Sequence, residues 1–203
     1  MYKEIYMNVE ESSVNSLCNF MIEVVKKLEN LSPRRGHRAE KAGDVIVDIL
    51  SREGVSLEVI KMPVTVPRPR IVKAEGVPSG VDMEPNCFEG GVVDGSVIVS
   101  SLAVREDFNL PNINYSPYSD EVSLATFYPR ASVAVSRKSL PLIAGREVRI
   151  TVEVEREGYL DRIIVVGDTE SPRTIVATHY DSVLNGAVDN ASGVAVVLAA
   201  LAR

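Results

Sequence analysis

Two stretches near the start of the chain carry apolar side chains with the period of an α-helix. Between residues 14 and 28 these side chains return every three or four positions, which predicts a helix with one buried stripe that Ser12 or Ser13 can cap. The same spacing between residues 39 and 50 predicts a second helix. Gly54 follows this second stretch, where a left-handed C-terminal glycine is expected.

Strand patterns follow the second helix and return near the end of the chain. Residues 55–59 alternate apolar and polar side chains, which predicts a strand. Residues 161–167 and 173–178 contain short apolar runs typical of interior strands, and residues 175–177 are expected to be covered on both faces. The apolar run at residues 194–203 predicts a last helix. Together these patterns favour an α/β fold with a mixed, mainly parallel sheet flanked by helices.

The middle of the chain, residues 63–157, interrupts this order and predicts a β-rich insert. It opens with PVTVPRPR, whose prolines favour an extended linker over a central strand. Residues 109–119 are rich in proline, asparagine, tyrosine and serine, which predicts an exposed loop. Short strand patterns occur at residues 92–100, 131–135 and 147–155. The expected organisation is therefore residues 1–62 and 158–203 as one α/β layer structure, with residues 63–157 inserted between them.

Composition and charge exclude some classes of protein. The 203 residues are 45% hydrophobic and 25% charged, with a net charge of -6, which is typical of a globular protein and argues against nucleic acid as a partner. The chain has no signal-peptide pattern and no apolar run long enough to span a membrane, so we expect a cytoplasmic protein with no membrane partner. Cys18, on the apolar face of the first helix, and Cys87, in a loop, are expected to be reduced.

Candidate chemistry is concentrated in the stretch TIVATHYDSVLNGAVDNASG, residues 174–193. His179 and Asp181 follow a predicted strand at its carboxyl end, where open α/β sheets bind ligands. Asp189 comes after a Gly-Ala turn and before the last helix. Imidazole nitrogen and carboxylate oxygen both bind zinc, which favours a metal site. The same residues also allow a hydrogen-bonded structural histidine, a helix cap at Asp189 and a simple turn residue at Asp181.

The HYDS and GAVDNASG motifs resemble the first metal-binding half of family 28 of the metallopeptidases, the co-catalytic di-zinc aminopeptidases. The resemblance implies that His179 binds one zinc ion and that Asp189 bridges two. It assigns Asp181 to the catalytic centre, as the residue that orients a ligand. It also implies a cis peptide bond between Asp189 and Asn190. A carboxylate suits the bridging role because its two oxygens can span metals roughly 3.5–4 Å apart.

Two other segments resemble parts of the same family. LSPRRGHRAEKAGDVIVDILSREGVSLEVIKMPV is similar to the family's opening turn, helix and edge strand, although this pattern is common to many α/β folds. SVAVSRKSLPLIAGREVRITVEVE is similar to the closing segment of the protease-associated domain that some members carry. The insert is therefore either such a domain or a long family-specific insert. A lid, a binding platform, an oligomer contact or simple packing would each suit it.

The resemblance implies the N-terminal portion of a zinc-dependent exopeptidase, an aminopeptidase that hydrolyses peptide N-termini with metal-activated water. The family's Glu-Glu pair, later acidic ligand and final histidine have no counterpart after Asp189, and Glu10, Glu11 and His37 lie far upstream. We therefore expect an isolated chain that is inactive, binds its zinc ions incompletely, and requires a downstream polypeptide as partner besides its peptide substrate. It would then be a truncated or split gene product. The alternative is a non-catalytic binding or assembly module with a vestigial metal site.

Overall fold

A computed structural model describes residues 11–101, 109–124 and 127–202 of the chain. Glu10 lies outside these ranges. The helices are α1 (Glu11–Glu29), α2 (His37–Arg52), α3 (Leu140–Ile143) and α4 (Gly193–Leu201). The strands are β1 (Leu57–Glu75), β2 (Met83–Pro85), β3 (Gly91–Val93), β4 (Ile98–Ser100), β5 (Asn112–Tyr115), β6 (Ser132–Val135) and β7 (Arg149–Val166).

The chain forms two compact units. The first unit comprises the residues up to Val64 and those from Gly158 onward, and the second unit comprises Thr65–Glu157. The expected limits of the three sequence segments stay a prediction. The α/β class is confirmed, but the parallel strand pairs, β4 with β5 and β5 with β6, all lie in the second unit. Among the described residues, no helix has both the length and the hydrophobicity needed to cross a bilayer.

The core of the first unit is built from α1, α2 and α4. It contains the buried residues Val24, Leu28, Ala42, Ile46, Ile49, Leu50, Ala191, Val194, Ala195 and Leu198. The apolar stripe predicted for α1 is buried only in its second half, since Val14 and Cys18 are exposed. Ser12 and Ser13 lie inside the first turn rather than at a cap, because α1 begins at Glu11. Such a shift of one or two residues is common at helix ends.

The predicted second helix and its terminal glycine are confirmed. Helix α2 buries the apolar stripe, and Gly54 has a φ of 73°, in the left-handed region. The Val55 N–H then donates to the Leu50 carbonyl at 3.0 Å, which satisfies an acceptor that the end of the helix leaves open.

Strand β1 continues through the segment that was expected to be a linker. Pro63, Pro67 and Pro69 all lie within it, so the prediction of a linker at this segment is wrong. The sheet has the order β1-β7-β3, which makes β1 an edge strand. Proline is tolerated there because its missing N–H can face outward, and the three prolines lie at positions of the same parity along the strand.

The second unit contains a four-stranded sheet of order β2-β6-β5-β4. Strand β5 lies in the segment that the sequence predicted to be an exposed loop, so that prediction is wrong. Asn112 and Asn114 of β5 are fully buried, and their amides bond to one another and to Ser132 of β6. A polar sequence therefore occupies an interior strand because its side chains satisfy each other.

The predicted interior strand at residues 173–178 is absent from the described residues. Ile175 and Val176 are 79% and 73% exposed, and no strand pairs with this segment in the described part of the chain. The apolar run at residues 161–167 is instead the end of the long strand β7, which also includes the strand predicted at residues 147–155. An apolar run becomes an interior strand only where neighbouring strands satisfy its backbone groups.

Candidate metal centre

The structure brings the three sequence-predicted site residues together in the first unit. His179 and Asp181 lie on the extended segment that follows Ile175 and Val176, and Asp189 lies in the irregular turn Ala187–Ser192 that leads into α4. The Nε2 atom of His179 is 3.1 Å from Oδ1 of Asp189. The Nδ1 atom of the same ring is 3.1 Å from Oδ1 of Asp181. The imidazole therefore lies between two carboxylates.

The contact with Asp181 sets the orientation of the imidazole ring. A ring that carries its proton on Nδ1 donates it to the Asp181 carboxylate and has its lone pair on Nε2, the nitrogen nearer Asp189. A carboxylate behind a histidine has this effect in many metal sites. The side chains of His179, Asp181 and Asp189 are 56%, 60% and 85% exposed, so an ion from solvent can reach them.

The donor atoms fit zinc in type and in spacing. Two ligands that each lie about 2.1 Å from a tetrahedral zinc ion are roughly 3.4 Å apart. The separation of 3.1 Å between Nε2 of His179 and Oδ1 of Asp189 is close to that value. Catalytic zinc sites usually have three protein ligands, and the described residues contain no group of three candidate ligands. The described residues therefore offer fewer candidate donors than a catalytic zinc site has.

Alternation along the extended segment explains why its two polar residues share a side. His179 and Asp181 flank Tyr180, whose hydroxyl donates to the Asp161 carboxylate at 2.9 Å and lies 3.0 Å from the Arg162 carbonyl. Burial, together with the bond to Asp161, raises the pKa of Tyr180 far above its ordinary value. The phenol therefore stays neutral and anchors the segment, while His179 and Asp181, on either side of it, contact one another.

The turn that carries Asp189 requires small residues. Gly186 has a φ of 67°, and a Cβ atom there would lie 2.4 Å from the Cβ atom of Ser182. The predicted glycine turn is therefore confirmed. The peptide bond between Asp189 and Asn190 is cis, as the resemblance implies.

The residue after Asp189 connects the turn to the histidine segment. Asn190 Nδ2 donates to Oγ1 of Thr178 at 2.9 Å, next to His179. The first residue of α4, Gly193, leaves room for this amide, since a Cβ atom there would lie 2.2 Å from Oδ1 of Asn190. The glycine and asparagine of the motif therefore have a steric and hydrogen-bonding role.

The sequence reasoning did not identify Arg34 as part of this region. Arg34 is fully buried, and its guanidinium donates to the carbonyls of Tyr180 and Gly186. Burial lowers its pKa, and the carboxylates of Asp181 and Asp189 act in the opposite direction. Arginine keeps its charge in either case. An arginine in a Pro-Arg-Arg turn looks like a surface residue, so the sequence offered no signal for this role.

The other histidine lies in a different setting. His37 begins α2, and its Nδ1 atom is 3.3 Å from Oε2 of Glu40, three residues further along the same helix. Its side chain is 67% exposed. The pair is an imidazole and a carboxylate on a helix surface, and it provides an internal comparison for the pair of His179 and Asp189.

Together, the α/β unit and its imidazole–carboxylate donors are typical of a metal-dependent hydrolase. Residues 163–203 match the sequence model of Peptidase family M28, so the family resemblance seen in the sequence is confirmed for this segment. No curated protein matches the chain.

The fold resembles that of about half of a known zinc aminopeptidase. Two structures of BSAP, a zinc aminopeptidase from Bacillus subtilis, match with TM-scores of 0.58 and 0.61, both at 14% identity. The matches cover 89% and 91% of this chain, and 56% and 57% of that chain. An aminopeptidase from Aneurinibacillus sp. strain AM-1 matches with a TM-score of 0.47 at 19% identity, over 91% of this chain and 58% of that one. The chain thus spans little more than half the length of these proteins.

Proposed function

We propose that this chain is the amino-terminal portion of a zinc-dependent exopeptidase, an aminopeptidase that acts on the N-termini of peptides. His179 and Asp189 supply two of its metal ligands, and Asp181 orients the imidazole. The observation that carries the proposal is the ring of His179 between two carboxylates, each 3.1 Å from a different ring nitrogen. The family match over residues 163–203 supports the assignment of the reaction.

Each of the three residues has a distinct task in this proposal. The Asp181 carboxylate accepts the Nδ1 proton and keeps the lone pair of His179 on Nε2. Asp189 has two oxygens, one of which faces that nitrogen, so its carboxylate is able to bridge two ions. When bound, the metal supplies an activated water and polarises the scissile carbonyl.

We also propose a second polypeptide segment as a partner of the first unit. Ile175 and Val176 expose apolar side chains immediately before His179, and the chain spans 56–57% of the Bacillus subtilis aminopeptidase it resembles. A neighbouring strand would cover these side chains and bring the general base and the further ligands. We assign the protein to the cytoplasm, in keeping with its two free cysteines.

A nitrogen-15 NMR titration with zinc tests the ligand assignment. The chain has only two histidines, so a His37→Gln variant assigns both sets of ring signals. Added zinc is expected to shift the Nε2 signal of His179 and to leave the signals of His37 in place. An Asp189→Asn variant should weaken this response, because an amide is a poor ligand for zinc. Equal responses from both histidines, or no response from His179, would refute the assignment.

An activity assay separates the proposal from the alternative function. The chain alone, with zinc, is expected to hydrolyse no aminoacyl-nitroanilide, because two ligand groups do not complete the centre. The presence of only two donors among the described residues also suits a binding or assembly module with a vestigial site. Turnover by the pure chain that His179→Ala abolishes would contradict the expected inactivity. A zinc-bound but inactive chain that gains turnover with a downstream polypeptide would reject the binding module.

A further inference from the structure

We infer that Arg34 is a positioning residue for the metal centre, holding the backbone beside His179 and the backbone of the Asp189 turn at a fixed separation. The inference rests on the proposed function, because it concerns how the two ligands are brought together. Arg34 lies in the turn between α1 and α2, 145 residues before His179 in the sequence. It is fully buried and contacts neither ligand side chain directly.

The guanidinium connects two points of the metal-binding loop. Nε donates to the carbonyl of Tyr180, which stands between His179 and Asp181 in the chain. Nη2 donates to the carbonyl of Gly186 at 2.9 Å. The Gly186 carbonyl also accepts the N–H of Ala191 at 3.0 Å. This bond closes the turn in which Asp189 lies. One rigid planar group therefore joins the two parts of the chain that carry the ligands.

The main chain of Arg34 is fixed to the same loop. Its N–H donates to Oγ of Ser182 at 2.9 Å, and its carbonyl accepts the N–H of Ser182 at 3.1 Å. Ser182 is itself buried. Nη1 donates to the Leu28 carbonyl at 3.2 Å and to Oγ of Ser32 at 2.7 Å, which anchors the other end of the guanidinium at the end of α1 and in the following turn. Through these bonds Arg34 connects the loop to α1, which is part of the core of the first unit.

The chemistry of this contact requires arginine rather than any cation. The acceptors of the guanidinium are carbonyl or hydroxyl oxygens, and all three of its nitrogens donate to them. Lysine carries the same charge but is a point donor on a flexible stem, so it cannot reproduce this fork. Arg34→Lys therefore keeps the charge near Asp181 and Asp189 and removes the geometry.

The test compares Arg34→Lys with Arg38→Lys in titrations of the full chain with cobalt(II) alone. Arg38 is a matched control, since it is exposed, lies four residues away, and its guanidinium donates to the Ser32 carbonyl at 2.8 Å, away from the metal-binding loop. We expect Arg34→Lys to lower cobalt affinity roughly 10- to 100-fold, as is typical when a group behind a ligand is lost. The visible ligand-field bands of any remaining complex should also move. Arg38→Lys should bind as the unmodified chain does and give the same bands.

Circular dichroism establishes whether each variant remains folded. If Arg34→Lys loses its helical signal, Ser32→Ala decides, because it removes one of the bonds that orient the guanidinium and keeps the arginine. A folded Arg34→Lys or Ser32→Ala variant with unchanged cobalt affinity and unchanged bands would overturn the inference. If the unmodified chain shows no response at His179 to zinc, the proposed function fails first. A normal response in the unmodified chain with no effect of either substitution rejects only the role of Arg34.

Discussion

Asn114, at the centre of β5, provides a quantitative test of how the second unit is held together. It is fully buried, and its Oδ1 atom accepts from Asn86 Nδ2 at 3.0 Å. Its Nδ2 atom lies within bonding distance of Ser132 Oγ at 2.8 Å and of the Val133 carbonyl at 3.2 Å. Oδ1 of Asn112, at 3.2 Å, is a further acceptor. Replacing Asn114 with alanine removes this centre from the network.

The magnitude follows from the donors that the amide possesses. Nδ2 carries two hydrogens, so at any moment it donates about two bonds, and Oδ1 accepts one from Asn86. At about 1 kcal/mol net for each bond, Asn114→Ala should lower the free energy of unfolding by about 3 kcal/mol. Asn114→Leu separates polarity from volume, because leucine fills the space without replacing any bond. We expect it to cost at least about 2 kcal/mol, since buried polar neighbours lose their partner.

Urea unfolding followed by hydrogen exchange measures the loss of stability in the second compact unit, which contains Asn114. Because the chain has two compact units, peptides from β5 and β6 are followed separately from peptides of α2. Asn109→Ala is the matched control, since Asn109 is exposed and its side chain accepts a bond from Arg130 at the surface. Its effect should stay within about 0.5 kcal/mol. An Asn114→Leu variant as stable as the unmodified chain would show that volume, and not the polar network, holds this strand.

Two further predictions concern the first helix, the last helix and the two thiols. Gly193→Ala would place its Cβ atom 2.2 Å from Oδ1 of Asn190, so the amide must move and release Thr178. Alanine's helix preference of about 1 kcal/mol offsets this loss, so we expect a nearly unchanged thermal midpoint but a weaker zinc-induced histidine shift. Cys18 is exposed and Cys87 is buried, and burial raises the pKa of the Cys87 thiol. A thiol reagent should therefore modify Cys18 in the folded chain and Cys87 only after unfolding; modification of both in the folded chain would contradict this burial.

Local patterns were sufficient to predict α2, its terminal glycine and the turn of the metal motif. The apolar spacing in α2 and the glycine after it were read correctly because both depend on residues within one or two turns. The proximity of His179 and Asp189 followed from a motif of eleven residues, in which a turn at Gly186 returns the chain. Contacts of this range can be predicted because the residues that make them lie close together in the sequence.

Long-range partners account for what the sequence did not predict. Asn112 and Asn114 resembled a loop because nothing in their own segment indicates that Ser132 will satisfy them. Arg34 resembled a surface residue because its acceptors, the carbonyls of Tyr180 and Gly186, are about 150 residues away in the sequence. Backbone carbonyls are provided by every residue type, so no choice of amino acid near position 180 reveals the partner.

Under the proposed function, the absence of one neighbouring segment explains two features of this region. These are the exposed run at Ile175 and Val176 and the incomplete set of metal ligands. Strand-forming apolar side chains stabilise a fold where they are packed, and Ile175 and Val176 are exposed. Two ligands that lie largely in water bind a zinc ion weakly. A single neighbouring segment that pairs with residues 173–178 would bury the apolar side chains and deliver further ligands to the same edge. Folding of that edge and metal affinity would then be linked, since a ligand that binds only the assembled form stabilises it. Zinc should therefore tighten association with a downstream polypeptide, and His179→Ala should remove this effect while leaving metal-free association unchanged; equal association with and without zinc would reject the linkage.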